Sequence, residues 1–127
     1  MTPSTETYHF EESENIPNHP SLPVVVYRKA VSPDRTVPAE VFEARYRENE
    51  WGGSWRWGVY AFHHYHSNAH EVLGVVAGEA ELTLGGPGGK TLSVRAGDVL
   101  ILPAGTGHKN DGSTSDFNVI GAYPGGQ

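Results

Sequence analysis

The chain has 127 residues, no cysteine, and nine Lys and Arg against fifteen Asp and Glu, for a formal charge of −6. That length suits one domain burying roughly two-thirds of its unfolded surface. The missing thiols exclude disulfides, thiolate metal ligands, iron–sulfur clusters and a cysteine nucleophile. An acidic balance with no basic run argues against nonspecific binding to nucleic acid or to an anionic membrane.

The N-terminus opens without a basic cluster or an apolar core, and no apolar run approaches membrane-spanning length, so a cytoplasmic location is expected. Residues 1–22 are polar and broken by proline, with Glu11, Glu12 and Glu14 followed by Pro17 and Pro20. They are expected to form a polar arm ahead of a single domain over 23–127, with at most Tyr8, His9 and Phe10 pairing on a sheet edge. His9 and His19, in these polar surroundings, are read as ordinary surface histidines. Val24 to Tyr27 is a β-branched run that predicts a strand. Pro38 to Asn49 predicts the one helix: Pro38 suits the first helical position, Glu40 and Glu43 lie early, Arg45 and Arg47 lie late, and Gly52-Gly53 ends it. Phe42 and Tyr46, four apart, share a face and are expected to pack on the sheet.

From Ser54 onward short apolar runs alternate with glycine-rich turns, as in an all-β sandwich or barrel. Strands are predicted at Trp55–His66, Glu71–Val76, Glu79–Leu84, Thr91–Arg95, Val99–Leu102 and Phe117–Tyr123. Gly85 to Gly89 reads as a hairpin loop; it lacks the Lys-Ser/Thr signature and following helix of a phosphate loop.

The densest chemistry lies between Gly58 and Gly78. Side chains alternate faces along a strand, so His64 and His66 share one face, and the short connection through Ser67 to His70 lets Glu71 return to them. Further on, the apolar run Val99 to Leu102 ends in a Pro103–Gly107 turn that delivers His108. Four such groups are the donors of a divalent transition-metal site, and buried imidazoles gathered around a carboxylate without a cation would be costly. His70 competes with Glu71 for the carboxylate position; Glu71 is preferred because it shares parity with Leu73, Val75 and Ala77. The same parity would turn Arg56, Tyr60 and Phe62 inward with the histidines, and Trp55, Trp57, Val59, Ala61, His63 and Tyr65 outward. Tyr60 and Phe62 are then the candidate walls of a substrate pocket. Arg56 would mark the substrate side if it faced inward, but it stands roughly 26 Å from His64 along a straight strand. The alternatives are an internal carboxylate partner or a place at the strand's exposed start. An outward aromatic row would need a cover, supplied by the N-terminal half or by a second subunit in a homodimer.

These segments resemble the cupin superfamily. Its first motif, G-x5-H-x-H-x3or4-E-x6-G, is matched by Gly58, His64, His66, Glu71 and Gly78. Its second, G-x5-P-x-G-x2-H-x3-N, is matched by Gly97, Pro103, Gly105 and His108, but Gly112 holds the final position and Asn110 lies two residues early. The chain is similar to small single-domain bacterial cupins, a type that includes many proteins of unassigned function. The resemblance implies an all-β jelly-roll β-barrel with one short helix in the N-terminal half. It also implies that His64, His66, Glu71 and His108 hold one divalent metal, with Fe, Mn, Ni, Zn, Co and Cu all compatible. Cupins with these ligands include dioxygenases, oxidases, decarboxylases and isomerases. A metal-dependent enzyme acting on a small polar molecule is therefore expected, with a small-ligand binding or sensing module and a metal-free sugar epimerase-like cupin as the alternatives.

Overall fold

The computed structural model describes residues 4–30, 39–57, 59, 61, 63–66 and 69–124. Among the described residues, nine strands and one helix run in the order β1 (Ser4–Tyr8), β2 (Val24–Arg28), α1 (Ala39–Glu48), β3 (Trp51–Trp57), β4 (Glu71–Ala77), β5 (Glu79–Leu84), β6 (Lys90–Arg95), β7 (Val99–Leu102), β8 (His108–Ser113) and β9 (Asn118–Pro124). They form a six-stranded sheet in the order β1-β2-β7-β4-β9-β3 and a three-stranded sheet, β6-β5-β8. Every pairing is antiparallel. This is the all-β architecture expected, and no helix among the described residues is long and apolar enough to cross a membrane.

Alternation along the strands builds the core. In β5, Ala80, Leu82 and Leu84 are buried while Glu79 and Glu81 are exposed, the pattern of a sheet with one dry face. Those side chains, with Leu92 and Val94 of β6, meet Val24, Val26, Leu73, Val75, Leu100, Leu102 and Val119 of the large sheet. Burying each such aliphatic side chain contributes about 1.5–3 kcal/mol before the entropy of ordering it is set against it.

Helix α1 covers the opposite face of the large sheet. Phe42 and Tyr46 pack with Val72, Ile120 and Ala122, and the Tyr46 hydroxyl donates to the Ile120 carbonyl at 2.8 Å. The helix comes this close because residue 74 is glycine: a Cβ there would lie 2.6 Å from both the Phe42 ring and the Tyr46 oxygen. Pro38 lies outside the described residues. The helix ends at Glu48, before the expected Gly52-Gly53 stop, and those glycines belong to β3, where pairing with β9 shifts register between Gly52 and Trp55.

β3 corrects the predicted parity. It ends at Trp57 instead of running on to His66, so the alternation does not carry from Arg56 to the histidines. Trp55 packs against the inner core. Arg56 faces the helix side, 52% exposed, where its Nη2 meets Glu43 Oε1 at 2.9 Å and Glu40 Oε1 at 3.9 Å. Arg56 is thus exposed and pairs with carboxylates of the helix, not with an internal one. Tyr60 and Phe62, the predicted pocket walls, lie outside the described residues.

Residues 4–22 contact both sheets. β1 pairs along its length with β2, Ile16 and Asn18 are buried, and Ser13 Oγ donates to the Pro87 carbonyl at 2.7 Å. Strand β8 was not predicted. Its Lys109, Asn110, Asp111 and Gly112 have low strand propensity, which an edge position in the small sheet tolerates.

Candidate metal centre

The site begins with one pair of backbone hydrogen bonds. His64 N–H donates to the His108 carbonyl at 3.2 Å and His108 N–H to that of His64 at 2.9 Å, which makes them an isolated antiparallel bridge. Directly opposed residues of such a pair put their side chains on the same face, and the two imidazole centroids stand 3.9 Å apart. Two residues on, Gly105 N–H donates to the His66 carbonyl at 2.8 Å. Segment 64–66 thus runs beside the turn that leads to His108, and His66 falls on the same face as His64. The ligand atoms of His64, His66 and His108 all lie within 4.8 Å of one another.

Glu71, at the start of β4, has the parity expected of it, shared with the core residues Leu73 and Val75. Its Oε1 lies 3.4 Å from His108 Nε2 and 3.6 Å from His66 Nε2. Glu71 and His108 are buried, while the His66 side chain is 40% exposed. One side of the cluster therefore opens outward and the other is buried.

The charges of this cluster point to a cation. Both carboxylate oxygens of Glu71 are buried and neither has a hydrogen-bond partner of normal geometry; 3.4 Å is too long and poorly aligned for one. His108 Nδ1 lies 3.1 Å from the Thr106 carbonyl. A carbonyl only accepts, so Nδ1 carries the hydrogen, and in the neutral ring Nε2 presents a lone pair to the Glu71 oxygen. Two such lone pairs in a buried setting repel unless a proton or a metal ion lies between them. Two donors each about 2.1 Å from one ion, at an angle near 110°, stand about 3.4 Å apart, so the observed spacing fits a shared metal. The Thr106 contact also fixes the ring as the outer hydrogen bond of a metal-bound histidine does. Burial works to raise the Glu71 pKa, but the neighbouring His108 imidazole, the charge of His66 and the Tyr123 hydroxyl together hold the carboxyl below the usual carboxylate range.

Two neighbours escaped the sequence. Tyr123 of β9 sets its ring 5.8 Å from that of His66, edge to face, and its hydroxyl accepts the Trp55 indole N–H at 3.2 Å. Trp55 reaches it by lying over Gly121, where a Cβ would come within 2.4 Å of the indole. His70 turns elsewhere: its Nδ1 accepts the Ala104 N–H at 2.9 Å, bracing the Pro103–Gly107 turn, and its ring lies 6.0 Å from that of His19. Asn110 bonds locally to Gly112 and Ser113.

Residues 58–120, which carry all four candidate ligands, match the model of the cupin domain. Over 126 residues the chain is 44% identical to YjlB of Bacillus subtilis, described as an uncharacterized protein, covering 99% of this chain and 73% of that one. A crystal structure of a DUF861 family protein from Thermotoga maritima is 21% identical, with a TM-score of 0.43 over 79% of this chain and 96% of that one. With that family-model match, a relative covered over most of its length and two antiparallel sheets beside the histidine cluster, the chain belongs to the cupin family.

Proposed function

We propose that this cupin binds one divalent transition metal through His64, His66, His108 and Glu71 and acts as a metal-dependent enzyme, of oxygenase or isomerase type, on a small polar molecule. The supporting observation is that His108 Nε2 lies 3.4 Å from a buried Glu71 oxygen that has no hydrogen-bond partner, beside the His64, His66 and His108 cluster. When bound, the metal supplies an electrophilic centre with positions left for water or substrate. The chain's own groups divide the remaining work. Glu71 contributes the negative charge, His108 is held from behind by the Thr106 carbonyl, and the half-exposed His66 lies on the side from which a molecule enters. Tyr123, beside His66, offers a phenolic O–H at that entrance.

Elemental analysis of purified protein, followed by an oxygen-consumption screen against small acids and sugars, tests this reading. Stoichiometric metal with turnover supports it. Tight binding of a small molecule without turnover would favour a sensing module, and full turnover after chelation would overturn the role of the metal. His66→Ala is expected to lose the metal; stoichiometric metal in that variant would remove His66 from the ligand set.

A further inference from the structure

The turn that carries His108 is held in place from the N-terminal segment. Asn18 is only 4% exposed, and its backbone N–H donates to the Gly105 carbonyl at 2.8 Å. Its Oδ1 accepts the Gly107 N–H at 3.0 Å. On the other side of the amide, Nδ2 donates to the carbonyls of Glu11 at 2.8 Å and Gly85 at 3.0 Å. Gly85 N–H in turn donates to the Gly107 carbonyl at 2.8 Å. Both polar backbone groups of Gly107, the residue immediately before His108, are thus fixed by the Asn18–Gly85 unit.

The packing is equally close. A Cβ at Gly107 would stand 2.6 Å from the Ile16 side chain, and one at Gly105 would stand 2.9 Å from the Asn18 carbonyl oxygen. Few side chains satisfy position 18. It must present one acceptor to an N–H and two donors to carbonyls in a planar fork, which a primary amide does and a carboxylate or hydroxyl does not. The backbone there is also left-handed, with φ of 53°, a conformation asparagine tolerates better than most residues.

Given the metal-binding reading above, on which this inference rests, we infer that Asn18 is a positioning residue of the metal centre. By pinning Gly105 and Gly107 it sets where His108 stands relative to Glu71 and the other histidines. The N-terminal segment is then a working part of the site although it supplies no ligand. Outer contacts of this kind typically change metal affinity 10–100-fold.

Asn18→Gly separates this role from backbone strain, because glycine keeps the left-handed φ while removing the amide. Co²⁺ titration followed by visible absorption is expected to show 10–100-fold weaker binding than wild type and a changed spectrum, with the apo variant still folded by circular dichroism. Gly74→Ala is the comparator: it disturbs the helix on the far face of the sheet and leaves the His108 turn untouched, so its Co²⁺ affinity should equal that of wild type. Should Asn18→Gly fail to fold, Asn18→Asp carries the same test. Its second oxygen faces the Glu11 and Gly85 carbonyls, which expels the fork, and a comparable loss of affinity is expected. Wild-type affinity and spectrum in the folded Asn18 variant would overturn the inference while leaving the metal site intact. An equal loss in Gly74→Ala would reduce it to general stability and overturn it as well. A wild-type protein that takes up no Co²⁺ would overturn both the metal-binding reading and this inference.

Discussion

Glu71 is a ligand whose burial makes sense only in company. Its carboxylate is buried with two imidazoles for neighbours, and the charge is held there by those rings. Glu71→Gln removes the charge and keeps the shape, so the variant should lose metal affinity by at least about 100-fold, read by competition with a chromophoric chelator. The apo protein should be no less stable than wild type, since a buried charge lacking full compensation has been removed. If Glu71→Gln binds as tightly as wild type while His70→Ala loses all metal, the carboxylate has been misassigned. The pH dependence follows from the signs. Glu71's carboxyl is held below its usual range, so it stays ionised well below neutrality and cannot account for a loss of metal in mildly acidic solution. Imidazole donors must be neutral to bind metal, so affinity should fall as the solution is acidified while Glu71 is still ionised. A loss seen only where Glu71 itself protonates, below the usual carboxylate range, would count against histidine ligands.

At the level of elements, the site depends on two segments pairing where no long strand exists. The motifs made the four candidate ligands legible, and strand alternation made the core face of β5 legible, because that strand has a single dry face. The alternation of β3 was misread because one register was carried from Trp55 to His66 across an interruption that leaves no mark in composition. β8 was hidden by its polar residues, and Tyr123 and Asn18 by the fact that their partners are distant in sequence. Their roles exist only after β9 meets β4 and the N-terminal segment meets the glycine loop. Helix α1 has its own test. Gly74→Ala forces a methyl into the Phe42–Tyr46 contact and should cost about 1–3 kcal/mol in urea unfolding; an unchanged midpoint would mean that the helix does not press on the sheet. Arg56→Ala removes only exposed ion pairs to Glu40 and Glu43 and should change stability by at most about 1 kcal/mol, with no effect on the binding of carboxylate ligands.

For the molecule as a whole, the candidate centre joins segments 64–66, the start of β4 and the turn before β8, with β9 alongside. A bound ion should therefore brace both sheets at once. Metal at a concentration 100 times its Kd is expected to add about 2.7 kcal/mol to unfolding stability, and a chelator to remove it. Melting curves identical with and without metal would count against a folded-state site. Another consequence lies in the indole that crosses Gly121. Trp55 touches Tyr123, and Tyr123 packs on His66, so a fluorophore is built into the wall of the site. Paramagnetic Co²⁺, Ni²⁺ or Cu²⁺ should dim its emission while Zn²⁺ leaves it bright, and Trp55→Phe should abolish that contrast. The protein would then report its own metal occupancy, without a label, in ordinary light.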